Sequence, residues 1–112
     1  MTSPKRIAVL GSTGSVGRQA LDVIAQLPER FQVVGLAAGR NTSLFAEQVA
    51  QYRPRYAVCA AESPDVSAAL EATSASWTPM EDMAVADDVD IVLVGTAGAA
   101  GLEPTLAALR AG

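Results

Sequence analysis

Gly11-Ser12-Thr13-Gly14-Ser15-Val16-Gly17 is the stretch on which the reading of this chain turns. It stands between a short β-rich run, Arg6 to Leu10, and a segment whose apolar residues Val16, Ala20, Leu21, Val23, Ile24 and Leu27 follow largely helical spacing up to Pro28. Each glycine has a physical task. A strand turning sharply into its helix suits Gly11, close approach of a pyrophosphate to the backbone suits Gly14, and tight packing of helix on strand suits Gly17. The free amides of the first helical turn, carrying about half a positive charge between them, face the anion, and the hydroxyls of Thr13 and Ser15 add donors. A ligand-free turn needs one or two glycines, not three at this spacing. A P-loop is a poor alternative, because no lysine follows the glycines.

Outward from this loop, β-rich runs and helical stretches alternate along the chain. Phe31 to Ala38 is apolar enough to be a strand buried on both faces, as parallel strands are. Asn41 to Ser43 supplies capping side chains for a second helix, with Leu44, Phe45, Val49 and Tyr52 inward and Pro54 as its stop. Tyr56 to Cys59 reads as a third strand, and Ser63-Pro64 opens a third helix leading into Val66, Ala69 and Leu70. Thr73 to Pro79 is the least legible part, with Trp77 a candidate for a short strand. Val89 to Val94 is the last strand, followed by a glycine-rich loop, Gly95 to Gly101, and a helix from about Leu102 to Ala111. The alternation is that of βαβ units, so the expected fold is α/β: a Rossmann-like, doubly wound parallel sheet in three αβα layers, forming one domain over residues 1–112.

The end of the second strand selects the nucleotide. An acidic residue there usually takes the ribose hydroxyls of NAD; here Gly39-Arg40-Asn41 stand instead. The Arg40 guanidinium can pair with a 2′-phosphate and lie against an adenine face, which favours NADPH. The plainer reading of Arg40 is an exposed loop charge. The glycine spacing, G-x-x-G-x-x-G and not G-x-G-x-x-G, also leans toward NADP users. The loop from Gly95 to Gly101 should fall on the same edge of the sheet. It would form either a low wall beside the cofactor or an ordinary loop under a tightly packed helix.

Composition narrows the possibilities. A chain of 112 residues, half of them apolar but only 4% aromatic, has a core of alanine and aliphatic side chains, which favours helices on a sheet. The net charge is -4 and the cations are scattered, so no nucleic-acid surface is expected. The apolar run after Arg6 is too short for a signal sequence or a membrane span, and a cytoplasmic protein is expected. With no histidine, serine–histidine and cysteine–histidine relays are excluded within the chain, and lone Cys59 forms no internal disulfide. Asp87, Asp88 and Asp90 read as a solvated turn at the end of the sheet opposite the crevice, not as metal ligands.

Three stretches together resemble the N-terminal domain of the 1-deoxy-D-xylulose 5-phosphate reductoisomerase family. They are Ile7 to Gly17 with Leu21-Asp22-Val23-Ile24, then Ala37 to Asn41, and finally Gly98 to Leu102 with Pro104 to Ala108. The resemblance implies that Thr13, Gly14, Ser15 and Val16 hold the phosphates of NADPH, and that Gly39, Arg40 and Asn41 hold its 2′-phosphate end. It also implies the family's reaction, isomerisation of a sugar phosphate followed by hydride delivery from NADPH, giving 2-C-methyl-D-erythritol 4-phosphate in isoprenoid biosynthesis. A divalent metal, Mg or Mn, held by carboxylates and inhibition by fosmidomycin go with that activity. Family members continue past the counterpart of Gly112 into an Asn-Lys-Glu stretch and an Asp-Ser-Glu metal motif. Residues 1–112 are therefore expected to bind cofactor without catalysing the reaction, and no catalytic or metal-binding residue is assigned among them.

Two alternatives stay open. One is the cofactor domain of another NADPH oxidoreductase, such as an aspartate-semialdehyde dehydrogenase, which needs a nucleophilic cysteine. The other is a module that senses NADPH without turning it over. A sheet ending at Val94 would leave an open edge, so a homodimer or looser self-association is expected, readable by sedimentation.

Overall fold

The structure, a computed structural model, describes residues 3–95 of the chain. Five strands and four helices alternate: β1 (Lys5–Leu10), α1 (Ser15–Ala25), β2 (Phe31–Ala38), α2 (Thr42–Tyr52), β3 (Tyr56–Cys59), α3 (Pro64–Thr73), β4 (Ser76–Trp77), α4 (Met80–Ala84) and β5 (Ile91–Val94). Every pairing is parallel, in the order β4-β3-β2-β1-β5. The chain thus winds outward from β1 to β4 and then returns to the other side of β1. The order reverses between β1 and β5, and in such sheets the ligand crevice opens at the carboxyl ends of the strands on either side of that point. The expected α/β, doubly wound architecture is the one observed.

Local chemistry accounts for most element ends. The Asn41 side chain accepts from the Leu44 amide and caps α2, and Ser63 accepts from the Val66 amide and caps α3 with Pro64 behind it. Helices α2 and α3 close on left-handed residues, Arg53 at φ 49° and Ser74 at φ 61°, where no glycine is available. Pro54 then prevents α2 from resuming.

The larger core lies on the face covered by α1, α2 and α3. Ile7, Val9, Leu21, Ile24, Phe45, Val49 and Val66 meet there. Between Ile7 and Ala8 the register against β2 shifts by one residue, a β-bulge at Val34. The extra residue brings both Val33 and Leu36 onto the larger core, although three positions separate them. The opposite face is shallower. Ala8, Gly35 and Ala37 leave a depression that Met83 of α4 fills: a Cβ on Gly35 would lie 2.8 Å from the Met83 sulfur. Helix α4 has only five residues, too few to show periodicity, and was not foreseen.

The acidic turn faces solvent, with Asp87 and Asp90 exposed, but it is also tied down. It lies at the amino end of the strands, and two of its three carboxylates are engaged. Asp88 accepts from Tyr56 Oη and from Arg55, both at 2.7 Å. Asp90 takes the Arg6 guanidinium at 3.2 Å and the Arg6 amide at 2.8 Å, while its own amide donates back to the Arg6 carbonyl. These contacts fasten the entry of β5 to β1 and β3. They also explain why the last strand starts at Ile91 and not at Val89, which packs near Met83 instead.

Hydrogen bonds from Tyr56 and Arg55 hold the Asp88 carboxyl below its usual range, and those from Arg6 do the same for Asp90. A depressed folded pKa contributes stability that is complete above the unfolded carboxylate value, about 3.9, and is lost as pH falls through the folded value. Thermal unfolding followed from pH 7 downward should therefore show a midpoint that drops below about pH 4, and less steeply in Asp88→Asn and Asp90→Asn. Superimposable acid limbs in wild type and both variants would remove these contacts from the account.

Candidate functional site: the loop at the carboxyl end of β1

The loop that follows β1 is pinned by the neighbouring strand. Gly11 turns the chain at φ 90°, and the amides of Gly11 and Ser12 both donate to the Ala37 carbonyl, at 2.7 and 2.9 Å. The Gly14 amide returns to the Gly11 carbonyl at 3.2 Å. Gly14 is the N-cap of α1 in extended conformation, and no side chain caps this helix, unlike α2 and α3. The amides opening α1 therefore carry their partial positive charge without an internal acceptor from a capping side chain. Gly14 and Ser15 are exposed and Thr13 is half-buried, whereas the Val16 side chain is buried in the core, so Val16 offers only its amide.

Gly39, Arg40 and Asn41 lie at the same carboxyl edge, at the end of β2. The Gly39 carbonyl is taken by the Ala60 amide at 3.0 Å, which holds this corner against the end of β3. Arg40 is exposed, with no ion-pair partner among the described residues. Asn41 is exposed and already uses its Oδ1 to cap α2, which leaves its Nδ2 as the available group. The two expected segments thus share one edge on adjacent strands, joined through the bonds to Ala37.

The glycines separate into two kinds. A Cβ on Gly17 would overlap the Gly11 carbonyl oxygen and sit 2.9 Å from Ser12 Cα, so the start of α1 can reach the loop only without a side chain there. Gly95 is similarly confined: its Cβ would come 3.1 Å from the Gly17 amide nitrogen, and its own amide bonds the Leu10 carbonyl at 2.6 Å. Gly14 and Gly39 are not confined. At Gly14 the nearest neighbour of a Cβ is 3.5 Å away, an ordinary contact, and at Gly39 nothing lies within 4 Å. Among the described residues no neighbour demands glycine at these two positions: Gly39 faces open space and a Cβ on Gly14 would make only ordinary contacts with the Gly11 and Gly95 carbonyls, which leaves the backbone accessible to a ligand.

Two features of this edge were not anticipated. Gln48 is almost fully buried, and its Nε2 donates to the Ser12 carbonyl at 2.8 Å. The sequence signal was a polar residue within the apolar stripe Phe45, Val49, Tyr52. A pocket of about 270 Å³ also opens at the ends of β2 and β3, lined by Ala38, Val58, Cys59, Ala60, Pro79, Met80 and Glu81. Within it the Cys59 thiol donates to the Ala61 carbonyl at 2.7 Å, and burial pushes its pKa above the ordinary value, the direction opposite to that of an activated thiolate. A groove of about 410 Å³ between α1 and α2 is lined by Ser15, Arg18, Leu21, Asp22, Gln48, Gln51 and Tyr52. The glycine-rich loop beyond Gly95 and the helix expected from Leu102 to Ala111 lie outside the described residues.

A family model for 1-deoxy-D-xylulose 5-phosphate reductoisomerase matches residues 7–112. The chain belongs to this family. Reductoisomerases of Pelotomaculum thermopropionicum and Synechocystis sp. are 43% and 44% identical over 96% of the chain. That of Anaeromyxobacter sp. (strain K) is 45% identical over the same share. The chain spans about 30% of the length of the first two relatives. Among solved structures, a DOX-P reductoisomerase in complex with magnesium superposes with a TM-score of 0.69 at 28% identity, over 95% of this chain and 28% of that one. The Zymomonas mobilis reductoisomerase in complex with NADPH does so with a TM-score of 0.56 at 29% identity, over 85% of this chain and 22% of that one. Among the described residues there is no group of three or more carboxylates or cysteines arranged to hold a metal ion, and no helix is long and apolar enough to cross a membrane.

The division of the glycines gives a test that needs no ligand. Gly17→Ala should cost about 1–3 kcal/mol in denaturant unfolding, the usual range for overpacking. Gly14→Ala and Gly39→Ala should stay within about 1 kcal/mol of wild type. Equal losses at all three positions would mean that the protein's own packing, and not a ligand, accounts for Gly14 and Gly39.

Proposed function

We propose that residues 1–112 form the NADPH-binding domain of a 1-deoxy-D-xylulose 5-phosphate reductoisomerase. The observation that carries this reading is the start of α1, which no side chain caps and which opens on an exposed glycine, Gly14. The diphosphate lies on the amides of Thr13, Ser15 and Val16 and against the backbone of Gly14, whose own amide is turned to the Gly11 carbonyl, with the Thr13 and Ser15 hydroxyls as further donors. Gly39 admits the adenosine ribose close to backbone. Arg40 pairs with the 2′-phosphate, and Asn41 donates from its free amide group. The adenine ring extends toward the largely apolar pocket between Ala38, Val58 and Met80.

The sugar phosphate, the divalent metal and the hydride acceptor belong, in this reading, to the remaining length that the relatives possess. A solved reductoisomerase in complex with NADPH and another in complex with magnesium, each about three to five times the length of the stretch matched here, support a parent protein that uses both. The chain is accordingly assigned no catalytic residue of its own. Association into a homodimer belongs to the same proposal, because β5 borders the described sheet and Val94 is exposed on it. A monomer in sedimentation at high concentration would speak against it.

Titration with NADPH and NADH, read by energy transfer from half-exposed Trp77 or by calorimetry, tests the nucleotide assignment. Arg40→Ala should weaken NADPH binding by about 1.5–3 kcal/mol, the range for hydrogen bonds to charged groups, and leave NADH nearly unchanged. Equal losses for the two nucleotides would take Arg40 out of the role.

A further inference from the structure

Gln48 occupies a position where a helix facing an apolar sheet ordinarily carries leucine. It lies on the inner face of α2 beside Phe45 and Val49 and is 5% exposed. One end of its carboxamide donates to the Ser12 carbonyl at 2.8 Å, a buried bond between residues 36 positions apart. The other end, Oε1, is buried with no partner among the described residues. A carboxamide taken out of water and satisfied at one end only is a poor way to stabilise a core. Methionine would fill the same space with no orphaned oxygen, so what distinguishes Gln48 is its single donor on Ser12. Because the acceptor is a carbonyl, only the NH₂ group of Gln48 can face it, which settles the orientation of the amide.

That bond has a geometric consequence for the loop. In a trans peptide the C=O and the next N–H lie in one rigid plane and point in opposite directions within it. Holding the Ser12 carbonyl inward against α2 therefore turns the Thr13 N–H outward, away from the core. The Ser12 N–H is itself committed to the Ala37 carbonyl at 2.9 Å, and no hydrogen-bond partner within the described residues takes the Thr13 amide. Were this peptide to flip, a carbonyl oxygen would face the anion where a donor is needed. A loop opened by a glycine at φ 90° has few side-chain contacts of its own to prevent that.

We propose that Gln48 is a positioning residue for cofactor binding: its carboxamide locks the Ser12–Thr13 peptide so that the Thr13 amide is presented to the diphosphate. It does so from α2, the helix that begins directly after Arg40 and Asn41, and so ties the loop to the element carrying the 2′-phosphate group. The proposal rests on the reading of the loop as a diphosphate cradle.

Gln48→Met keeps length and burial and removes the donor. Its binding should be compared with wild type for NADPH and for adenosine 2′-phosphate, which has the 2′-phosphate but no diphosphate. NADPH affinity should fall about tenfold, the scale of one oriented donor to a charged oxygen, while adenosine 2′-phosphate stays within about twofold. Unchanged NADPH affinity would overturn the proposal, and so would parallel losses for both ligands, the mark of general loosening. Exchange of the Gln48 side-chain amide protons in the wild-type protein gives a reading independent of any variant. Slow exchange without ligand is expected, and exchange at the rate of an exposed carboxamide would overturn the proposal. Wild-type protein that binds neither ligand would remove the diphosphate reading itself, whereas wild type that binds NADPH beside an indifferent Gln48→Met variant would remove only the role of Gln48.

Discussion

The start of α1 lies against the loop that feeds it, and the rest of the site follows from that approach. A side chain on Gly17 would overlap the Gly11 carbonyl, so the helix reaches this position only through glycine. Once there, its first turn has Gly14 in place of a capping side chain, and its amides stay open to whatever lies beyond the strand ends. Gly95 closes the arrangement from β5, bonding Leu10 and lying close against Gly17. The loop therefore sits beside the reversal in strand order between β1 and β5, where a doubly wound sheet has its crevice.

Treatment of the helix starts shows the division of labour. Helices α2 and α3 spend the Asn41 and Ser63 side chains on their own amides. Helix α1 does not, and the same loop carries Gly14, whose identity no neighbour demands. At the opposite end of the strands the pattern inverts: Asp88 and Asp90 are committed to Arg55, Tyr56 and Arg6. One edge of the sheet is closed by internal pairs, and the other keeps donors in reserve.

Much of this was legible in the residues because its causes are local. The three glycines of the loop, the caps at Asn41 and Ser63, the stop at Pro54 and the change from strand to helix spacing all act over a few positions. What escaped depends on distant partners. Asp90 meets Arg6 across 84 residues and Asp88 meets Arg55 across 33, so the acidic run read as a solvated turn without these ties. Met83 is buried because Ala8, Gly35 and Ala37 are small, a match between strands and a five-residue helix that no periodicity reveals. The bulge at Val34 is a matter of register, and Gln48 hid within an apolar stripe because its partner, the Ser12 carbonyl, is backbone.

The central claim is that the amides opening α1 hold a diphosphate, with Arg40 beside them on the same edge. Amide chemical shifts recorded while NADPH is added test it most directly. The account predicts that the largest changes fall on Thr13, Gly14, Ser15 and Val16, with a second group at Gly39, Arg40 and Asn41, while the groove along Arg18, Asp22 and Gln51 stays quiet. Changes concentrated in that groove, or none at the start of α1, would contradict it.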